Sequence, residues 1–331
     1  MTSGSTPHPH SSARARNVIR LLASVLVVVI VLFFLARVLY TNWEKVKEYQ
    51  WQFHLPLLLL SCICLIGSYL VDIAVWRQAI VRMGEHITYP HALRLYFAAG
   101  MAKYIPGTVW QFLGWFYLAQ REGVSKVIAG TSIVLTQALS ALAGALLAAA
   151  AFAAYGSQDV VRQLLPLLLI FPAGLLVLQP RVVSAVLNWG LTRLGRQPIA
   201  FNLSFRDLAA IFIFYLGSYV LWGMALFLFT NGLTPLPLTY FAPFLGVFPA
   251  AYALGLVAPF APAGLGVREG TLTILLSFFV PLPVATVIAL LTRPWMMAVE
   301  IVGAGLAFIS YARQGGLDKP SLIEENTDER T

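Results

Sequence analysis

Long apolar runs separated by short polar or basic stretches recur along almost the whole chain. A helix needs about 20 mostly apolar residues to cross the hydrocarbon of a bilayer. Runs of that kind cover Val18–Leu39, Leu55–Trp76, Val127–Ala154, Leu208–Phe229, Tyr240–Phe260 and Val284–Tyr311. Leu164–Leu178 is shorter, and Thr271–Val280 continues apolar as far as Pro281 and Pro283. Counted together they predict an all-α polytopic membrane protein with about eight transmembrane helices. Pro243, Pro249 and Pro259 predict an irregular or kinked course for Tyr240–Phe260, because proline removes a helical hydrogen bond. Residues 1–16 are rich in Ser, Pro and His and are expected to be a disordered tail. Residues 17–312 form a single transmembrane domain, and 313–331 form a flexible polar tail.

Two places break this pattern. The first lies inside Leu95–Ser125, where Lys103, Tyr104, Pro106, Gly107, Trp110 and Gln111 interrupt an otherwise apolar stretch. Proline and glycine should break a helix here, and irregular backbone at membrane depth survives only against protein or a polar cavity. The second is the segment Pro262 to Gly270, which contains Gly264, Gly266, Arg268 and Glu269. A weak internal symmetry links them. Pro106-Gly107 precedes Arg121-Glu122-Gly123, and Pro262-Ala263-Gly264 precedes Arg268-Glu269-Gly270. Paired interrupted segments are the sequence mark of a transporter site between repeats.

Charge sets the orientation. Of 331 residues only 11% are charged, against roughly 25% in soluble domains, so a soluble core is excluded. The net charge of +8 is spread between spans and reports orientation, not nucleic-acid binding. Arg14, Arg16 and Arg20 place the N-terminus in the cytoplasm, and the loops Arg77–Arg94 and Arg181–Arg206 are expected on the same side. Val127–Ala154 and Leu164–Leu178 make one hairpin between those loops. The stretch around Pro106 must then enter and leave by one side, which predicts a re-entrant broken helix. The C-terminal tail is placed inside too, provided Thr271–Val280 completes a crossing. Asp72, near the inner end of its predicted span, is expected either to pair with Arg77 or to face a cavity.

Candidate chemistry is sparse. No histidine has a Cys, Ser or carboxylate at motif spacing, and no phosphate loop ends in Gly-Lys-Ser, so no enzyme, cofactor or metal site is expected. Cys62 and Cys64, two residues apart on different helix faces, predict no disulfide. What remains is charge at membrane depth: Lys103, Arg268, Glu269, Arg293 and Glu300. Lys or Arg beside a helix break suits an anionic headgroup, and the free amides of a helix start add to the attraction. Arg293 and Glu300 lie two turns apart on one face, where an ion-pair network that fastens the bundle is the simpler role.

Lys103-Tyr104-Ile105-Pro106-Gly107-Thr108-Val109-Trp110 and Pro262-Ala263-Gly264-Leu265-Gly266-Val267-Arg268-Glu269-Gly270 resemble the lysylphosphatidylglycerol synthase transmembrane-region family, over about residues 20 to 312. The resemblance implies a flippase-like domain of the bacterial cytoplasmic membrane whose substrate is a membrane lipid. Only a short polar tail follows Tyr311, so the aminoacyltransferase domain of full-length synthases is expected to be absent and lysyl transfer is not implied. Two functions follow as expectations. One is a lipid translocase moving a phospholipid or lipid-linked headgroup. The other is a non-transporting partner that anchors or regulates an envelope-lipid or glycolipid biosynthetic enzyme. The lipid, the energy source and the oligomeric state are left open.

Overall fold

Hydrocarbon offers a peptide group no hydrogen-bond partner, so a lipid-embedded chain closes its bonds within helices. The computed structural model describes residues 33–102, 110–155, 179–193, 195–197, 203–257 and 266–313. Among them the regular elements are helical: α1 (Trp43–Lys47), α2 (Leu55–Arg82), α3 (Tyr89–Met101), α4 (Trp110–Arg121), α5 (Lys126–Tyr155), α6 (Pro180–Arg193), α7 (Phe205–Leu233), α8 (Phe241–Val257), α9 (Val267–Leu276) and α10 (Leu282–Arg313). Five stretches of the described residues are long and apolar enough to cross a membrane: α2, most of α5, α7, Leu238–Gly255 within and before α8, and Leu282–Ala307 of α10. The chain is a multi-pass α-helical membrane protein. Predicted spans at Val18–Leu39 and Leu164–Leu178 lie wholly or largely outside the described residues.

Antiparallel α2 and α7 frame the bundle. At one end Arg82 pairs with Asp207 at 3.1 Å, and Ser204 and Asp207 cap α7 reciprocally. At the other end the His54 and Gln52 amides donate to the Gly232 and Leu233 carbonyls, each at 3.0 Å. These two ends, named here for Arg82 and His54, locate everything else. The α5 helix leaves the Arg82 end, where the Ser125 amide donates to Glu85 at 2.8 Å. The α10 helix runs towards the same end: Trp295 stacks on Phe229, Tyr69 donates to Glu300, and Gly303 lies against Phe97.

Two short helix pairs fill the frame from opposite ends. In α3/α4, His91 meets Glu122 at 2.9 Å, and the Trp115 indole donates to the Tyr96 carbonyl at 3.3 Å. Those pairings make the helices antiparallel, with their open ends at Arg82 and residues 103–109 between them. In α8/α9, Phe279 packs on Tyr240 and Phe244, so this pair opens at the His54 end with residues 258–265 between its helices. The α8 helix packs antiparallel to α7 through Phe227–Phe244, Trp222–Phe248 and Tyr219–Tyr252.

Several expectations change. Helices overrun their apolar runs at the Arg82 end, α2 reaching Arg82 and α7 starting at Phe205. Tyr240–Phe260 was expected to be irregular or kinked, and α8 is helical through Pro249, as α10 is through Pro294. Packed neighbours hold both segments. Thr271–Val280 is helical only as far as Leu276. The α9 helix has ten residues, which at 1.5 Å per residue is about 15 Å, half of a hydrocarbon core of about 30 Å.

The α7–α8 contact leaves room for no side chain at Gly223, where an added Cβ would stand 2.4 Å from the Leu245 Cα. Backbone cannot yield as a flexible side chain can. Gly223→Ala is expected to destabilise the bundle by about 1–3 kcal/mol, the range for overpacking. Thermal unfolding in detergent checks this, and Gly217→Ala, which meets nothing within 4 Å, is the control.

Candidate functional site

The sequence of α9 begins at its second residue with Arg268-Glu269, immediately after Gly266. Gly266 sits at φ 82°, a conformation that L side chains rarely adopt. That turn lets the Glu269 side chain fold back, and its Oε2 accepts the Gly266 amide at 2.8 Å. One orphan donor of the helix start is satisfied in this way. Its other oxygen, Oε1, takes Arg268 Nη2 at 3.1 Å and Arg293 Nε at 2.8 Å. Glu269 is only 2% exposed, so the whole arrangement is internal.

Two guanidiniums therefore share one carboxylate oxygen at the start of a helix whose own dipole is positive there. Arg268 also directs Nη1 at the Met296 sulfur at 3.5 Å, and its buried Nε has no hydrogen-bond partner among the described residues. Such a group either costs stability or awaits an acceptor. A phosphate or carboxylate of a ligand fits the vacancy in bonding, because guanidinium donors and a helix start both favour anions.

The predicted residues divide clearly. Gly266, Arg268, Glu269 and Arg293 come together, with Glu269 as the balancing carboxylate. Glu300 is buried on the same helix as Arg293 and accepts from the Tyr69 hydroxyl. Gln111 lies in the first turn of α4 and is half-buried. Lys103, Tyr104, Pro106, Gly107 and Gly264 lie outside the described residues, as does the Trp110 side chain. The proposed meeting of Lys103 with Arg268 therefore falls outside the described residues too.

A second polar layer was missed. With α2 running on to Arg82, Asp72 sits ten residues from that helix end, deep in the bundle. It does not pair with Arg77, whose Nε donates to the Ile87 carbonyl at 2.8 Å. Ser218 donates to Asp72 at 2.6 Å, and Trp222 adds a second hydrogen bond. Nearby, Ser140 bonds Tyr219 at 2.7 Å, Gln137 donates to Tyr252 at 3.1 Å, and Thr136 bonds Tyr215. The signal was present as Tyr215, Ser218, Tyr219 and Trp222, a polar-aromatic stripe at helical spacing inside an apolar run.

Antiparallel helix pairs opening at opposite ends, around buried charge, define a polytopic membrane protein with an internal polar site. A profile of the family described as the lysylphosphatidylglycerol synthase TM region matches residues 21–299, and the chain belongs to that family. Its membrane domain occurs in lipid-related proteins. No curated protein matches the chain.

Removing one partner of a buried ion pair strands the other charge, a cost of about 3–5 kcal/mol. Glu269→Ala, which removes the acceptor shared by Arg268 and Arg293, is expected to lower the melting temperature more than Arg268→Ala. Gly266→Ala is expected to cost about 1–3 kcal/mol through its backbone conformation. Melting curves of the purified variants in one detergent check the order.

Proposed function

We propose that the chain is a lipid translocase, not an enzyme, which moves a phospholipid or lipid-linked headgroup across the bacterial inner membrane. The observation that carries this reading is the Glu269 site. A buried arginine pair held on one carboxylate at a helix start, with the Arg268 Nε left without a hydrogen bond, is costly for an anchor and useful to a protein that must desolvate an anionic headgroup. The phosphate, common to phospholipids and lipid-linked sugars, is the group it would hold. Arg268 and Arg293 supply the charge-assisted donors, Glu269 pairs with them when the site is empty, and Lys103 would add a third cation from the other break.

The architecture supports the same reading. We take α3/α4 and α8/α9 as re-entrant hairpins that enter from opposite faces, their breaks converging on the interior. Tyr240–Phe260 and Thr271–Val280 then make one hairpin instead of two of the eight predicted crossings. An even count is preserved, so the N-terminus, the Arg82 end and the tail after Arg313 all lie on the cytoplasmic side. Paired interrupted helices in inverted array are how many transporters hold polar cargo near the midplane.

The test is reconstitution into vesicles with fluorescent lipids of differing headgroup. Wild type is expected to accelerate movement of an anionic lipid. Arg268→Ala is expected to weaken lipid binding by about 1.5–3 kcal/mol, the worth of a hydrogen bond to a charged group. Pro106→Ala and Gly107→Leu should slow movement more than they lower stability. Full activity in all three variants would overturn the reading. A cysteine introduced at Gln197, in a variant lacking Cys62 and Cys64, should resist external labelling; reaction from outside would reverse the orientation.

A further inference from the structure

Asp72 is left without a task by the anion site, and its surroundings differ from those of Glu269. No arginine or lysine lies within ion-pair distance of it among the described residues, and its hydrogen bonds come from neutral donors, Ser218 and Trp222. The groups facing it can be named element by element. Tyr96 comes from α3, Tyr215 and Tyr219 come from α7, and Tyr252 comes from α8. From α10, Glu300 lies close enough to act on Tyr96, and from α9, Arg268 acts on Tyr252. The α5 helix contributes only neutral partners, Thr136, Gln137 and Ser140.

An isolated carboxylate charge at such depth is expensive, whereas its neutral acid is not. Yet Asp72, Tyr96, Gln137 and Tyr252 all keep accessible surface although they lie deep in the bundle. A water molecule can therefore reach each of these groups, although each is surrounded by protein. The surrounding hydroxyls and the Gln137 amide provide donors and acceptors for it.

We infer that Asp72 is a proton-binding site: it takes a proton from a water molecule that reaches it at one stage of the cycle and returns it at another. An O–H bond forms at a carboxyl oxygen when water delivers the proton, and the same bond breaks when water removes it, so no further reactant is needed. Because Tyr252 touches both the Asp72 layer electrostatically and Arg268, the state of Asp72 alters the potential felt by an anion at the Glu269 site. A neutral Asp72 favours the anion, and an ionised one repels it. Binding and release of a lipid phosphate would thereby follow the proton gradient. That coupling rests on the translocase reading; the proton site does not.

Infrared difference spectroscopy on the full chain in nanodiscs tests the site directly. The expected result is a protonated-carboxyl stretching band that titrates with pH in wild type and is missing from Asp72→Asn. Asp72→Glu should retain a band, and Ser218→Ala should shift its frequency without abolishing it, which separates loss of the proton from loss of the fold. A wild-type band identical to that of Asp72→Asn at every pH would overturn the inference. In vesicles, an imposed pH gradient should change the rate of anionic-lipid movement at least several-fold for wild type and not for Asp72→Asn. Equal rates with and without the gradient in wild type would overturn the coupling. If no lipid moves at all while the band titrates, the translocase reading fails and the proton site stands.

Discussion

One carboxylate, Glu269, holds two guanidiniums and a helix start together. Glu269 is buried and has given up its hydration, and the Coulomb attraction offsets that loss only while the geometry is kept. The turn at Gly266 is what permits the geometry, since it folds Glu269 back onto its own helix start while α9 packs against α10. If the carboxylate moved outward, Arg268 and Arg293 would both lose the oxygen they share. The ion cluster therefore ties α9 to α10 alongside their apolar packing.

Around it, the α2–α7 pair supplies a rigid frame. Its two ends are tied by Arg82–Asp207 and by the backbone bonds from Gln52 and His54. The start of α9 is interior, and a helix start concentrates unsatisfied amides and partial positive charge. That start, one arginine pair on a shared carboxylate and a tyrosine-lined layer near Asp72 give the interior distinct zones. One zone suits an anion and the other a proton, and Tyr252 lies between them.

The sequence revealed the class of fold readily, because long apolar runs with few charges have one physical meaning. It also singled out Arg268, Glu269 and Arg293 as charges that apolar surroundings do not tolerate by chance. It did not disclose that Glu269 serves both arginines, since the 24-residue separation of Arg293 from Glu269 carries no local signal. Helix lengths were underestimated at the Arg82 end, where Arg77 and Arg82 read as loop but continue α2. That error displaced Asp72 towards the surface. Pro249 did not end its helix, because proline within a well-packed helix need not do so. The polar face of α7 was overlooked because tyrosine and tryptophan count as apolar in a pattern, although each carries a hydrogen-bonding tip.

The central claim is that a lipid phosphate sits among the guanidiniums of the Glu269 site. Solid-state nuclear magnetic resonance can measure this as dipolar coupling between lipid phosphorus and arginine nitrogen, with the protein labelled at arginine and embedded in an anionic bilayer. Phosphorus in direct contact with a guanidinium, in a signal that Arg268→Lys and Arg293→Lys remove, is the expected result. Coupling that persists unchanged in both variants would place the phosphate at the basic residues of the membrane surface and contradict the claim.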